Sequence, residues 1–434
     1  MISLMCLAIM KNGGVFIIND FVIDLLNLEA ELLESVSYKN INGEVHIIVK
    51  LKKTVEECPH CGISTRKTNG SQTVVINHGV FNNRRCNVHL QKYRYVCTLC
   101  DKTFMLKSQL APKRRSISHE SIRQIMELTK DPRITFKFIS DQLNISVTSA
   151  IRIFIDNAPD FKRPLPSVLC IDEVYLGKSS RRKYAVVLMD FISGEVFDLV
   201  YGRSTSDCIR SFNHYRRDER LSVEYFSTDM YTGFIRLSKS MFPNAKICVD
   251  SFHVISLIIT SFQKMLVSIM NQYDRTSVEY YLLKNHRYLL LKNSSNINWT
   301  EGKYNRKLKY YISNYALHDL IKKIDPRISE CYEIKEKYIN FNKLKSFDGL
   351  DKRFDYIITE FINSSYHGFN SVGRTLIKNK EYIINSFSRI NGRRISNGPI
   401  ESRNNVIKTL LRVSSGYRNF EHLRLRALYV LNTK

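Results

Sequence analysis

The chain has 434 residues, 44% of them hydrophobic, which excludes wholesale disorder and leaves room for roughly two to four domains with at least one sizeable core. Its 66 Lys and Arg against 41 Asp and Glu leave a formal net charge of +25, which favours a polyanionic partner because each neutralised phosphate releases a condensed counterion. A soluble basic protein or a ribosome-associated factor would carry the same excess, so charge by itself does not choose among them.

No apolar run approaches bilayer-spanning length, so no membrane partner is expected. Residues 1–50 read as an N-terminal leader. The opening MISLMCLAIM resembles a signal-peptide core but lacks a basic leader and a small-residue cleavage site, and Met10, followed by Lys11, is an equal candidate for the start. The 10 cysteines are scattered rather than laid out as a secreted framework, which points to a reducing cytoplasm.

Residues 51–112 read as a zinc ribbon. CPHCG carries Cys58 and Cys61, and CTLC carries Cys97 and Cys100. Two C-x-x-C knuckles separated by strand-like sequence are how a small module builds a tetrahedral thiolate site for structural Zn²⁺. The intervening TVVINHGV and KYRYV alternate apolar and polar side chains, and Pro59 and Gly62 suit the first knuckle's turn. A redox C-x-x-C is the rival, but two paired motifs without a thioredoxin-like βαβ context weigh against it. Cys86 and His89, in CNVH, offer a competing half-site, but in mid-strand they read as packing residues.

After the basic connector APKRRS, residues 113–160 read as three short helices. SHESIRQIMELTK is the first and TFKFISDQLN the second, and Ser146 caps the third, SVTSAIRIFIDNA. This spacing fits a helix-turn-helix whose last helix enters the major groove, with Ser146, Thr148, Ser149 and Arg152 facing base edges or phosphates. A plain three-helix packing unit has the same pattern.

From Pro166 the pattern changes to strands. SVLCIDEVYLG is an apolar strand bearing Asp172 and Glu173, and YAVVLMDFI and EVFDLVYG follow, joined by Ser193-Gly194. A helix from about Ser204, a strand ending at Asp229, a helix, and a strand ending at Asp250 complete a ribonuclease H-like α/β order over residues 161–270. Converging strand ends bring Asp172 and Asp229 within reach of shared Mg²⁺ or Mn²⁺, the cations that suit oxygen ligands. Taken singly, a strand-end aspartate is also a common turn or cap residue. Glu173 points to the opposite sheet face and is left out of the site. Residues 271–375 read as a helical insertion whose Trp299 is a packing residue rather than a base stacker, and residues 376–434 resume the core.

The quoted blocks CPHCG, RYVCTLCDKTF, IDEVYLG, STDMY, VDSFHV and NGPIESRNNVIK together resemble the bacterial insertion-sequence transposases of the DDE type, specifically the ISL3 family, nearly end to end. The resemblance implies that Asp172, Asp229 and Glu401 are catalytic. It further implies that the chain binds the terminal inverted repeats of its own element, cleaves double-stranded DNA and transfers the end to target DNA. A homodimer or larger assembly in the synaptic complex, at work in the bacterial cytoplasm among the nucleoid, is part of that expectation.

The residues agree independently. Pro399 fits a helix's first turn, and Glu401, Asn405 and Lys408 follow at i, i+4 and i+7 on one face. Arg403, Asn404 and Arg412 flank it and can position a DNA backbone. A divalent cation between Glu401 and phosphate would explain an acid in so basic a segment. Asp250 and His253 stay open: the first can cap the next helix, the second can meet a phosphate or pack. Two rival readings are a non-catalytic zinc-ribbon and helix-turn-helix regulator, and a ribonuclease H-like nuclease.

Overall fold

The structure, a computed structural model, describes residues 22, 23, 26, 28–81, 84–106, 109–112, 115–178, 180–345 and 348–433. The two candidate starts, Met1 and Met10, lie outside the described residues. The chain divides into two compact units, Met1–Asp160 with Glu421–Lys434, and Phe161–Phe420.

The first unit opens with β1 (Leu33–Ile41) and β2 (Glu44–Leu51), an antiparallel pair. Asn42 and Gly43 turn it with φ of 50° and 80°, the left-handed pair that a tight hairpin requires. Small strands β3 (Glu56–Glu57) and β4 (Ser64–Thr65) flank the first cysteine knuckle. The long β5 (Thr68–Phe81) and β6 (Arg84–Val96) pair antiparallel, β6 runs parallel to β2, and β7 (Thr103–Met105) pairs with β6. Residues 33–50, read from sequence as part of a leader, therefore belong to two strands of a five-stranded sheet. Val36, Ile47, Val49, Ile76, Val88 and Leu90 form its core, and that burial holds the segment in the sheet.

Three helices follow: α1 (His119–Thr129), α2 (Phe136–Leu143) and α3 (Val147–Asn157). The hydroxyls of Ser118, Thr135 and Ser146 each accept a backbone N–H of the first turn, so the capping residues set where the helices begin. Asn144 ends α2 in the left-handed conformation, φ 50°. The C-terminal residues of the chain pack on these helices. Arg426 is 0% exposed, its guanidinium lies 4.7 Å from the Phe136 ring centroid, and it donates to the carbonyls of Asp131 and Ile134. Tyr429 donates to Met126 O at 3.1 Å. Residues 421–434, assigned from sequence to the later core, thus close the first unit instead.

The second unit is built on a five-stranded sheet. In chain order it holds β8 (Val168–Tyr175), β9 (Tyr184–Asp190), β10 (Val196–Tyr201), β11 (Tyr225–Thr228) and β12 (Lys246–Val249), and across the sheet the order is β10-β9-β8-β11-β12. The first three are antiparallel neighbours, while β8, β11 and β12 run parallel. Helices α4 (Thr205–Phe212), α5 (Arg217–Leu221) and α6 (Thr232–Met241) connect them. Leu169, Ile171, Val186, Leu188 and Phe226 of the sheet pack with Cys208, Phe212, Phe234 and Leu237 of those helices.

Helix α7 (Ser251–Met270) overturns the expectation about apolar runs, since its 20 residues are long and apolar enough to cross a bilayer. Its apolar side chains have another use: Val254, Ile258, Phe262, Met265, Leu266 and Ile269 are each no more than 1% exposed in the largest core. A helix at the centre of a helical cluster is apolar on several faces at once. The region beyond it is not wholly helical. After α8 (Val278–Asn285) and α9 (Tyr288–Leu291), strands β13 (Gly302–Asn305) and β14 (Tyr310–Ser313) form a hairpin. Helices α10 (Asn314–Lys322), α11 (Pro326–Asn342), α12 (Leu350–Asn363), α13 (His367–Lys378) and α14 (Lys380–Asn385) follow. A short pair, β15 (Arg389–Ile390) and β16 (Arg393–Arg394), precedes α15 (Gly398–Val413), and α15 lies against β8 and β9.

Candidate active site

Register brings the acids together. Ser227 of β11 is level with Cys170 of β8, and Thr228 is level with Val249 of β12. Continuing those parallel rows places Asp229 beside both Asp172 and Asp250, at the ends where β11 and β12 stop. The strands alternate, so Asp172 and Glu173 face opposite sides. Asp172 meets α15, whereas Glu173 binds Arg203 at 2.9 Å.

Asn397 fastens the third acid to this edge. It is 0% exposed and sits just before α15. Its side-chain amide donates to Ile171 O at 2.9 Å, its Oδ1 accepts the Ser227 hydroxyl at 2.8 Å, and its backbone N–H donates to Asp250 Oδ1 at 3.0 Å. One residue thus ties three parallel strands to the start of a helix. Its carbonyl accepts the N–H of Glu401 at 3.1 Å, which sets that acid in the first turn. The segment SNGPIE therefore reads as an anchor, a proline at the helix start, and a positioned carboxylate.

Burial pushes the Asp172 carboxyl up to about 6. The Glu173 N–H and the charge of His253 work against that shift, while the negative charges of Asp229 and Glu401 add to it. Asp172 Oδ1 accepts the Glu173 N–H at 2.9 Å, and Oδ2 accepts the Asn404 amide at 2.8 Å.

A second grouping was not anticipated from the sequence as a cluster. Asp250, His253 and Glu401 each offer a ligand atom, and all three atoms lie within 4.8 Å of one another. Asp250 is only 2% exposed, and its Oδ2 is buried with no hydrogen-bond partner, as is His253 Nε2. Buried polar atoms without partners are costly, so partnerless atoms on two of these three clustered residues fit a cation. The signal in the sequence was DSFH, an acid and a histidine three apart at a strand-to-helix junction, and Asn397 four residues before Glu401. Neither pattern states its partners.

The other expected site residues divide by exposure. Asn405, Lys408 and Arg412 are exposed on α15. Asn404 was expected at the DNA backbone, but it is 3% exposed because the helix turns it toward the sheet, where it holds Asp172. Arg403 spends its guanidinium on Gly194 O at 3.0 and 3.2 Å. On α3, Thr148 and Arg152 are exposed, while the Ser146 and Ser149 hydroxyls bond each other at 2.8 Å. Trp299 packs edge-on to His318, 5.1 Å between centroids, and donates to Ser294 O.

In the first unit the sulfurs of Cys58, Cys61, Cys97 and Cys100 all lie within 4.8 Å of one another, with pairs at 3.4 and 3.7 Å. A tetrahedron with metal–sulfur bonds of about 2.3 Å has edges of about 3.8 Å, so the four fit structural zinc. The N–H groups of Cys100 and Leu99 point at Cys97 Sγ and draw its thiol down to about 6, toward the thiolate that binds metal. Cys86 is buried in the sheet, and His89 bonds His46 at 2.8 Å.

A thiolate zinc ribbon in a strongly basic chain, joined to an α/β unit that gathers acids at its strand ends, fits a DNA-acting enzyme, and comparison with known families gives the class as transposase. A family model described as a transposase matches residues 169–427, and one described as the zinc-finger of transposase IS204/IS1001/IS1096/IS1165 matches residues 54–100. The chain belongs to the ISL3 family of insertion-sequence transposases, DNA-binding proteins of mobile elements. No curated protein matches it.

Proposed function

We propose that this transposase binds the terminal inverted repeats of its element, cleaves the DNA there and joins the freed end to a target. Asp172, Asp229 and Glu401 are its catalytic acids, set in a ribonuclease H-like core. The observation that carries this reading is Asn397, which holds the helix of Glu401 against the strands of Asp172 and Asp250 and the strand that leads to Asp229. Carboxylates placed so close in a half-buried site repel one another, an arrangement suited to divalent cations.

Bound Mg²⁺ or Mn²⁺ would activate the attacking oxygen and stabilise the departing one. Asp172, Asp229 and Glu401 would hold the cations, with Asp250 and His253 as further ligands beside Glu401. Asn404 keeps the Asp172 carboxylate turned toward the site. Asn405, Lys408 and Arg412 lie along the exposed side of α15, where they can hold the DNA backbone. The zinc ribbon and the three helices, read as a helix-turn-helix, select the end through Thr148 and Arg152. Pairing two ends requires at least a dimer, and the work takes place in the bacterial cytoplasm where the DNA lies. Intact acids speak against a non-catalytic regulator.

The test places the gene's flanking DNA on a donor plasmid and supplies the protein in trans. Glu401→Gln should lose excision and joining by roughly 10³-fold or more while retaining end binding, a loss of the size seen when charge stabilisation is removed. Equal joining by both proteins would remove Glu401 from the site.

A further inference from the structure

The hairpin β13–β14 carries GKYNRKLKYYIS, residues 302–313, with Lys303, Arg306, Lys307 and Lys309 and no acid. It displays aromatic rings to solvent: Tyr304 is 51% exposed, Tyr310 47% and Tyr311 79%, and Tyr315 just beyond is 67% exposed. Tyr304 and Tyr311 sit edge to face across the strands, 5.4 Å between centroids. Rings this exposed contribute little to the core. Arg306 and Lys309 are exposed, whereas Lys303 pairs with Glu301 and Lys307 donates to Thr276 O.

Beside the hairpin lies a cavity of about 670 Å³, within the range of small-ligand sites. Tyr288, His286, Lys292, Tyr304, Asn305 and Arg306 line it, together with one acid, Glu301, whose charge is paired with Lys303. His286 keeps Nδ1 buried with no hydrogen-bond partner. Rings, amides and cations around an opening of that size match the chemistry of a nucleotide, which offers an aromatic face, polar edges and a phosphate.

We propose that this hairpin and cavity bind unpaired DNA, stacking bases on Tyr304 and Tyr311 and holding the phosphates with Arg306 and Lys309. Duplex bases hide their faces in their own stack, so an aromatic platform selects strands that are frayed or already cut. The proposal rests on the chain being a transposase, but not on which acids carry the chemistry.

The test titrates the full chain into a labelled oligothymidylate of about 20 nucleotides and a duplex of equal length, read by fluorescence anisotropy. Tyr304→Ala with Tyr311→Ala should weaken single-strand binding by roughly ten-fold or more per lost stack and leave duplex binding nearly unchanged. Both residues are exposed, so the melting temperature should hold. Tyr311→Phe should bind as the parent does, because stacking needs the ring and not the hydroxyl. Glu401→Gln should also bind as the parent does, which separates this surface from the catalytic reading. Unchanged single-strand binding in the double variant, an equal loss on the duplex, loss in Tyr311→Phe, or tighter binding of oligouridylate than of oligothymidylate would overturn the proposal.

Discussion

The four clustered cysteines and the gathered acids are assembled in different ways. Cys58, Cys61, Cys97 and Cys100 come from two knuckles joined by one pair of antiparallel strands, so each half is local and the hairpin supplies the closure. The acids come from strand β8, the ends of β11 and β12, and a helix that begins at Gly398. Nothing local brings Glu401 to Asp172; the sheet order and the Asn397 clamp do it. The thiolate site is thus written in spacing, and the acid site is written in topology. A local site should fail by losing its metal, and a topological one should also fail by losing a clamp that touches no metal.

Three experiments press on that contrast, from the largest expected effect to the smallest. Cys97→Ser, or chelation of zinc, should unfold the ribbon outright, because structural zinc in such modules contributes on the order of 10 kcal/mol. Circular dichroism and DNA-end binding should both register the loss, and zinc titration should restore the chelated parent alone. A ribbon that stays folded with the metal removed would make the site as topological as the other.

Asn397→Ala should cost about 2–4 kcal/mol in chemical denaturation, since Ile171 O and the Ser227 hydroxyl lose buried partners. It should also lower joining, because the start of α15 is freed from the strands. A variant with parental stability would show that the clamp does not hold the site.

Asp250→Asn should have the subtlest effect, visible only when cation is varied. The parent's melting free energy should rise by about 2–3 kcal/mol in Mn²⁺ at a hundred times its dissociation constant, and the variant should gain much less. Equal gains would confine the cations to Asp172, Asp229 and Glu401.

Much of the first unit was legible from short patterns. The C-x-x-C pairs, the serine and threonine caps of α1 to α3, and the alternation in TVVINHGV are all local signals, and local signals need no partner to be read. The Asn42-Gly43 turn was equally legible, and missing it turned two strands into a leader. Other features could not be read that way. Arg426 looks like one more surface cation of a basic tail, yet it is buried beneath Phe136 and bonded to two carbonyls. Asn404 looks like a phosphate contact beside Arg403, until the helix turns it onto Asp172.

By itself the sequence determined the three capped helices, the chain order of strands β8 to β12, the paired cysteines, the basic character and the candidate acids, because each depends on residues close together in the chain. Only the tertiary structure decided which aspartate neighbours which. It also decided that Asn397 joins three strands, that Asp250 and His253 share a centre with Glu401, and that the last helix closes the first unit. Those facts depend on pairings between segments far apart in the chain, 226 residues between Ile171 and Asn397 and 303 between Met126 and Tyr429, which no periodicity specifies. Packing selects them, since apolar faces are interchangeable in sequence but only one arrangement buries them all while leaving the acids at a common edge.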